Sequence, residues 1–344
     1  MKFEHDFNRR QVLGGLAGLA LSALPAAAAS SDQMPRRTLG KTGEQVSCIG
    51  LGGSHIGKPK VSEDEAIRLI RQALDRGLNF MDNAWDYNNG ESEIRMGKAL
   101  EGGYRQKAFL MTKFDGRMKQ AAAQQIDESL KRLKTDHLDL LMFHETIRYD
   151  DPDRFFAPDG AMEALTAARQ AGKTRYIGFT GHKDPHIHLY MLELARKHDF
   201  HFDVVLFPIN VMDAHYRSFL HNVAPVAEQM GVAVISMKPI GSGVILKSNT
   251  VTAPECLTFA LNSPSRVVIT GIDSQQILDQ AFHVAATFKP LTDQQVATLL
   301  AKTKQAAANG EYELFKTTSW FDSTAHHPEW LGPPTPEVKQ LAAT

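Results

Sequence analysis

Short apolar runs rich in β-branched residues alternate with amphipathic stretches along most of the chain. The first apolar run, residues 46–51, is followed by residues 63–76, whose apolar positions recur at helical spacing. Ser62 and Glu65 predict a capping box at the start of that helix, and Gly77 predicts its end. The alternation continues with predicted strands over residues 79–82, 108–112, 138–143, 173–179, 204–207, 232–237 and 267–270. The predicted helices between and after them cover residues 93–100, 119–133, 160–170, 187–197, 222–229, 254–261 and 275–288.

Eight successive strand–helix units indicate an α/β fold with a parallel sheet. The strands are apolar nearly throughout, which is typical of strands buried on both faces. Eight units fit a closed (β/α)8 TIM barrel better than an open sheet. Residues 37–44 predict an N-terminal β-hairpin ahead of the first strand. We therefore expect the barrel to cover residues 35–310 and a helical, aromatic C-terminal extension to cover residues 311–344.

The first 30 residues have the layout of an export signal. A charged opening precedes the apolar residues 12–24, and the small residues 26–29 resemble a cleavage region. Arg9 and Arg10 ahead of this apolar stretch resemble a twin-arginine signal. We therefore expect the twin-arginine export machinery as a partner, cleavage near residue 30 and a periplasmic protein with no membrane segment in its mature form. An ordinary secretory signal or an uncleaved anchor are the alternatives.

Composition narrows the range of partners and cofactors. The formal net charge of -1 gives no reason to expect nucleic acid. Cys48 and Cys256 lie far apart in apolar segments, which favours two buried thiols over a disulfide or a zinc site. The histidines show no ligand spacing that compels a metal, so we expect none.

Four chemically distinct residues follow the predicted strands of the first half. Asp82 ends the second strand, Tyr87 lies five residues later, Lys113 follows the third strand and His144 follows the fourth. In barrels of this kind the carboxyl ends of the strands carry the active site. Reduction of a carbonyl group needs a proton donor, and a phenol, whose pKa is about 10, is a poor acid unless a cation lowers that pKa. We expect Tyr87 to act as general acid–base.

The other three residues have matching roles in that chemistry. Lys113 would lower the pKa of Tyr87, and Asp82 would hold Lys113 charged and in place. His144 would orient the carbonyl group and donate a hydrogen bond to its oxygen.

The sequence around these residues resembles the aldo-keto reductase family. Residues 82–93 and Gly97 are similar to the family pattern D-[TS]-A-x-x-Y-G-x-G-x-S-E-x-x-x-G, with Asn83 and Asn88 as departures. Thr112-Lys113, residues 140–144 and residues 175–180 also resemble family segments in the family order. The resemblance covers roughly residues 37–288. It implies the catalytic four named above and reversible hydride transfer between a nicotinamide and an aldehyde or ketone.

The resemblance also implies where the dinucleotide lies. Family members hold it with glycine-rich strand ends, and loops of this kind bind phosphate through backbone amides. The matching positions are Gly53, Ser54, Thr180, Gly181, Met237, Lys238, Gly241, Ser242, Gly243, Gly271, Asp273 and Ser274. Three of them depart from the family: Thr180-Gly181 replaces Ser-Asn, and Met237 replaces an aromatic residue. A further departure is Leu206, which replaces a Gln.

The family default is NADP, but the Arg that grips the 2′-phosphate is not evident. Asp273 lies in that region and would repel the phosphate, so NAD is the alternative.

Substrate contacts are predicted only in outline. We expect Trp85 and His182 to line the pocket, with Phe114 and Glu145 as further candidates, each of which could equally serve loop packing. The aromatic residues Trp320 and Phe321 either close over the barrel mouth or pack as a helical extension. Two alternatives to an enzyme of this family remain at this point. One is a nucleotide-binding sensor subunit with little turnover, and the other is a barrel that hosts unrelated chemistry.

Overall fold

Eight parallel strands close into a barrel in the computed structural model, which describes residues 34–334. The strand order around the barrel is β10-β3-β4-β5-β6-β7-β8-β9. The strands are β1 (Arg36–Thr38), β2 (Gln45–Ser47), β3 (Ile49–Gly52), β4 (Phe80–Asp82), β5 (Phe109–Phe114), β6 (Leu138–Phe143), β7 (Thr174–Thr180), β8 (Val204–Pro208), β9 (Ala233–Met237) and β10 (Val268–Gly271). The predicted (β/α)8 architecture is thus confirmed, whereas the predicted export signal at residues 1–30 lies outside the described residues.

Helices follow the barrel strands and cover their outer surface. They are α1 (Gly53–Ile56), α2 (Glu63–Asp75), α3 (Glu91–Leu100), α4 (Lys119–Leu133), α5 (Asp151–Phe156), α6 (Ala161–Gln170), α7 (Pro185–Lys197), α8 (Phe219–Asn222), α9 (Ala224–Met230), α10 (Ala253–Leu261), α11 (Gln275–Thr287), α12 (Asp293–Ala307), α13 (Leu314–Thr317) and α14 (Ser323–His326). Among residues 34–334, none of the helices combines the length and apolar character needed to cross a bilayer.

The predicted strand over residues 46–51 is wrong in one respect, because the chain divides it into two strands. β2 pairs antiparallel with β1 and forms the predicted N-terminal hairpin. β3 instead joins the barrel between β10 and β4. The break falls at Cys48, whose backbone N–H donates to Pro35 while its carbonyl accepts from Val268. The apolar pattern runs through the break because both pieces are buried.

The barrel strands are buried on both faces, as their apolar sequences predict. In β6, Leu140 and Met142 join the cluster that fills the barrel, together with Phe80 and Phe109. Their neighbour Leu141 belongs to the larger cluster packed beneath the helices. The catalytic end of the barrel therefore stands on a filled interior, which leaves its chemistry to the strand ends and the loops beyond them.

Helix α12 was not predicted from the sequence. It starts with a capping box in which Thr292 and Gln295 satisfy each other's backbone N–H groups. Its buried positions are only Leu299, Thr303 and Ala307, and Thr303 is polar. This narrow, mixed face explains why the apolar pattern ended at residue 288.

Candidate active site

Neighbouring strands bring Asp82, Lys113 and Tyr87 into direct contact. Asp82 is the last residue of β4, and Lys113 lies inside β5, one residue later than the predicted end of that strand. The Lys113 ammonium donates to Asp82 Oδ1 at 2.6 Å and to the Asn83 carbonyl at 2.5 Å. It also donates to the Tyr87 hydroxyl at 3.1 Å. The ammonium is buried, so these three oxygens replace the water that it has lost.

A short left-handed turn sets the position of Tyr87. Asn88 and Asn89, which follow it, have φ values of 55° and 56°. Asparagine tolerates this region better than most residues. The Asn88 amide also donates to the Ser54 carbonyl at 2.9 Å, which ties this turn to helix α1 directly after β3. The departure of Asn88 from the family pattern therefore has a local structural reason.

The charge environment of Tyr87 differs from the expected one. Burial is the largest influence on its phenol, followed by the negative charges of Asp82 and Asp86, with smaller contributions from Asp115 and Glu145. Together they raise the pKa of Tyr87 well above its usual value of about 10. The net shift in the unliganded site is therefore upward, and Tyr87 carries its proton there. The lowering of this pKa by Lys113 stays a prediction.

His144 faces two carboxylates that were not predicted as site residues. Its Nδ1 lies 2.9 Å from Asp115 Oδ1 and 3.3 Å from Asp86 Oδ1. Burial opposes a charge on the ring, but Asp115 and Asp86 outweigh it and raise the pKa of His144 to about 10. The ring also meets Tyr87 edge to face, with centroids 5.6 Å apart. The four predicted catalytic residues are therefore gathered at one site, together with two additional aspartates.

The C-terminal segment, residues 310–334, lies across the barrel mouth. The Ser323 hydroxyl donates to Asp86 at 2.5 Å, and the backbone N–H groups of Ser323 and Thr324 donate to the Glu145 carboxylate. Lys316 anchors the segment through a buried ion pair of 2.7 Å with Asp213. The segment therefore contributes polar atoms to the immediate surroundings of the site.

The two aromatic residues of that segment behave differently. Trp320 is 79% exposed, so its ring does not close over the mouth. Phe321 lies beside the Lys238 ammonium, 5.2 Å from the ring centroid. The pKa of Lys238 is lowered to about 8, chiefly by burial; the negative charge of Glu145 opposes this shift and the positive charge of Lys113 adds to it.

The predicted pocket residues Trp85 and His182 both contact other parts of the protein. The Trp85 indole donates to Glu128 at 2.7 Å and packs edge-on against Trp330. His182 is buried, and its Nε2 lies 3.1 Å from Asp322 of the C-terminal segment. Phe114 is fully buried against Phe143. A pocket role for Trp85 and His182 remains a prediction.

One group of side chains near the site has the spacing of a cation site. Its potential ligand atoms, from Asp86, His144 and Glu145, all lie within 4.8 Å of one another. The Glu145 carboxylate already accepts hydrogen bonds from Ser323 and Thr324, and the His144 Nδ1 faces two carboxylates. The charged atoms of this group therefore already have hydrogen-bond or ion-pair partners within the protein.

Three of the glycines predicted to cradle the cofactor, Gly53, Gly181 and Gly271, lie where a Cβ would clash with neighbouring atoms. A Cβ on Gly53 would lie 2.4 Å from the Asp82 carbonyl oxygen, and one on Gly181 would lie 2.2 Å from the Thr146 carbonyl oxygen. A Cβ on Gly271 would meet the His55 ring at 2.4 Å. Glycine at these positions therefore allows close packing between neighbouring strand ends.

The loop after β9 has an unusual concentration of left-handed residues. They are Lys238, Gly241, Ser242 and Gly243, with φ values of 55°, 54°, 57° and 88°. Conformations of this kind can turn successive backbone N–H groups toward one point and form a concavity for an anion.

Two residues predicted to bind the cofactor at the end of β10 already have partners. Ser274 caps α11 by accepting from the Ile277 N–H. Asp273 forms an ion pair of 2.6 Å with Lys60 from the loop after α1. The pairing offsets the negative charge that the sequence predicted at this position, and the sequence provided no signal for Lys60.

Comparison with known proteins identifies the family. The model of the aldo/keto reductase family matches residues 48–256. The chain belongs to the aldo/keto reductase family. Membership places it among NAD(P)H-dependent oxidoreductases and does not favour the sensor alternative.

Several relatives of this aldo/keto reductase can be aligned over part of its length. It is 32% identical over 228 residues to an L-galactose dehydrogenase of Arabidopsis thaliana, covering 61% of this chain and 66% of the relative. It is 34% identical over 182 residues to the aldo-keto reductase AMT2 of Alternaria alternata, covering 41% and 48% of the two chains. The chain thus spans between about half and two-thirds of these relatives.

A solved structure supports the fold. The aldo-keto reductase AKR11C1 from Bacillus halodurans, in its holo form, aligns with a TM-score of 0.65 and 23% identity, over 78% of this chain and 96% of the other.

The departures of this aldo/keto reductase from the family have structural counterparts. Leu206, which replaces the expected Gln, is buried in the cluster that fills the barrel, and Met237 packs against that cluster. The Thr180 hydroxyl and the Asn83 amide nitrogen are buried with no hydrogen-bond partner among the described residues. Because such groups are costly to leave unpaired, the residues present fit a polar ligand such as the nicotinamide carboxamide.

Proposed function

We propose that this aldo/keto reductase catalyses the reversible reduction of an aldehyde or ketone, with Tyr87 as the general acid–base. The observation that supports this most directly is the continuous chain of hydrogen bonds from Asp82 through the buried Lys113 to the Tyr87 hydroxyl. A bound NAD(P)H supplies the hydride. The residues of the chain supply the proton and the electrostatic stabilisation.

Proton transfer from Tyr87 is favoured by its surroundings. In the resting site the phenol is protonated, because burial and the nearby carboxylates raise its pKa. As negative charge develops on the carbonyl oxygen, Tyr87 donates its proton to that oxygen. The Lys113 ammonium, 3.1 Å from the phenol oxygen, then stabilises the phenolate, and Asp82 keeps that ammonium in place. The roles of all four residues are part of this proposal.

Strand ends on both sides of the mouth would hold the nucleotide. Thr180 and Asn83 would pair with the carboxamide, and the loop from Lys238 to Gly243 would receive phosphate oxygens. We propose NADP as the preferred nucleotide, with NAD as the alternative. The Lys60–Asp273 ion pair supports this preference, because Lys60 offsets the acidic charge and brings an ammonium near the expected 2′-phosphate.

The polar character of the mouth favours a hydroxylated carbonyl substrate over an apolar one. Asp86, His144, Glu145 and Lys238 all lie beside the Tyr87 hydroxyl or the segment above it. The similarity to an L-galactose dehydrogenase supports the same proposal, because a sugar offers several hydroxyl groups to such a site. We therefore expect kcat/KM to be higher for sugar-like carbonyl compounds than for aromatic aldehydes.

The N-terminal sequence supports a periplasmic location by way of the twin-arginine route. Because that route carries folded proteins, the enzyme would bind its nucleotide in the cytoplasm and travel with it. We therefore expect exported protein to contain stoichiometric, slowly dissociating nucleotide. Recovery of nucleotide-free protein from the periplasm would count against this part of the proposal.

The deciding experiment compares the native protein with Tyr87→Phe in steady-state and single-turnover assays with NADPH and NADH. We expect Tyr87→Phe to bind nucleotide normally and to lose about 10²- to 10⁴-fold in kcat, because it keeps the ring and removes the proton. Nucleotide binding without turnover by the native protein against sugars, aldehydes and ketones would instead favour the sensor alternative.

A further inference from the structure

The position of Asp115 has a consequence for the charge of His144. Asp115 lies two residues beyond Lys113, and its carboxylate Oδ1 is 2.9 Å from the Nδ1 of His144. The Asp115 side chain is fully buried, and its second oxygen has no hydrogen-bond partner within residues 34–334. The backbone N–H groups of Asp115 and Gly116 both donate to the Gln125 side chain, which fixes the loop. The carboxylate is therefore held with His144 as its hydrogen-bond partner.

A histidine in this arrangement has little choice of protonation state. A carboxylate accepts hydrogen bonds only, so the proton of a neutral ring would reside on Nδ1. The Nε2 of that neutral ring would be an acceptor. It could not donate to the oxygen of a carbonyl group, which is also an acceptor. Only the doubly protonated ring satisfies Asp115 at Nδ1 and offers a donor at Nε2.

We propose that Asp115 is a positioning residue that holds His144 as an imidazolium, so that Nε2 donates a charged hydrogen bond to the carbonyl oxygen during reduction. The contact of His144 with a carbonyl oxygen rests on the proposed function. The charge of His144 in the resting protein does not depend on that function. In this scheme His144 keeps both ring protons. The proton that ends on the product oxygen comes from Tyr87, so the two residues act on one oxygen without exchanging roles.

Asp115 suits this task better than Asp86, the other carboxylate near the ring. Asp86 lies farther from Nδ1, at 3.3 Å, and accepts from the Ser323 hydroxyl. Asp115 makes the shorter contact and belongs to the loop that directly continues β5. We therefore expect Asp115 to dominate the charge of the ring and Asp86 to add to it.

The other charged groups around His144 leave the balance in favour of the cation. Burial raises the pKa of Asp115 to about 6, against the opposing charge of His144, whose own pKa is about 10. Both partners are therefore charged at neutral pH. Other charged or titratable groups near this cluster, from β4, β5, β6, β7, β9 and the C-terminal segment, are Asp82, Tyr87, Lys113, Glu145, His182, Lys238 and Asp322. The buried Arg117 guanidinium also faces it and donates to the backbone carbonyls of Asp115 and Glu145.

The first test reads the ring directly in the resting full-length protein. Nitrogen-15 and proton NMR of histidine-labelled protein, with His144→Gln to assign the resonance among the 14 histidines, reports both ring nitrogens. We expect two protonated nitrogens from pH 6.5 to 9 in the native protein. A neutral ring at pH 7 would overturn the proposal, whether or not any carbonyl compound is turned over.

The second test removes the charge and keeps the shape. Asp115→Asn should let His144 lose a proton near the ordinary histidine value of about 6.5, so kcat should fall about 10- to 100-fold at pH 8. The loss should shrink below pH 6, and nucleotide affinity should not change. Asp86→Asn is the matched control and should shift the titration less.

A kcat of Asp115→Asn that is lower by the same factor at every pH would indicate a merely structural role and contradict the proposal. If the variant does not fold, the titration of the native protein still decides the charge of His144.

Discussion

The two sides of the barrel mouth are built on different principles. On the side of β4, β5 and β6, charged groups are buried and paired with one another, as in the contacts of Lys113 with Asp82 and of His144 with Asp115. On the side of β7 and β9, the buried polar groups include the Thr180 and Ser236 hydroxyls, which have no partner in the described part of the chain. On the first side the charged groups are paired with one another before any ligand binds, although Asn83, Asp86 and Asp115 each keep one buried polar atom without a partner in the described residues. On the second side the hydroxyls themselves lack partners.

This difference teaches what each side contributes. Fixed, paired charges cost nothing to reorganise during a reaction, so they suit the stabilisation of a transition state. Unpaired hydroxyls leave hydrogen-bond donors and acceptors for a bound group. Substitutions should therefore affect stability and kcat on the first side, and ligand affinity on the second.

The largest effect should come from Lys113→Met, which leaves Asp82 buried without its cation. Breaking a buried pair in this way costs about 3 to 5 kcal/mol of folding free energy. Chemical denaturation measures it. The double variant Lys113→Met with Asp82→Leu is the control and should regain much of that stability, while kcat remains low in both. If the single and double variants were equally stable, the unpaired Asp82 carboxylate would not be the cause of the lost stability.

A pH effect should come next, from His188 beneath the ligand side. His188 packs among the rings of Phe179, Phe207 and Phe219, and burial lowers its pKa to about 3. In the unfolded chain this histidine is therefore protonated below about pH 6.5, whereas in the folded chain it stays neutral. The free energy of unfolding consequently falls as the pH falls toward 3.

The expected loss from His188 is about 2 kcal/mol between pH 6.5 and 5. Urea unfolding of the native protein and of His188→Leu measures it. The variant should lose less stability over that interval, and parallel curves would mean that another group is responsible.

Thr180→Val should separate ligand affinity from stability. Valine keeps the shape and removes a hydroxyl that has no partner in residues 34–334, so unfolding should change little. Nucleotide binding should weaken by about 1 kcal/mol, or roughly fivefold in Kd, if that hydroxyl pairs with the ligand. Fluorescence titration with NADPH gives the Kd, and Thr180→Ser is the control that restores the hydroxyl. Unchanged affinity in Thr180→Val would remove Thr180 from the binding site.

The smallest effect should come from the C-terminal segment above both sides. Ser323→Ala removes the hydroxyl contact with Asp86 and keeps the backbone contacts with Glu145. We expect KM for the carbonyl substrate to change by about two- to fivefold and the Kd for nucleotide to stay the same. The exposed Trp320→Ala is the matched control from the same segment. An equal response of the two variants would argue against a specific role of Ser323.

The sequence by itself determined the barrel and the core of its catalytic set. Strands such as β6 and helices such as α4 are specified by local apolar patterns, which directly report which faces are buried. Because strand ends meet at one face of a barrel, Asp82, Lys113 and His144 could be placed together from their positions alone. Tyr87 followed from its distance to Asp82 and from the family pattern. These are short-range inferences, and the structure brings the same residues together.

Only the tertiary structure decided which charges meet across long stretches of chain. The Ser323 hydroxyl reaches Asp86 over 237 residues, and Lys60 reaches Asp273 from the opposite end of the barrel sequence. Such pairs leave no local periodicity, because each partner is a polar loop residue like many others. They nevertheless contribute to the electrostatics of the site, and for this reason the raised pKa of Tyr87 could not be predicted from the sequence.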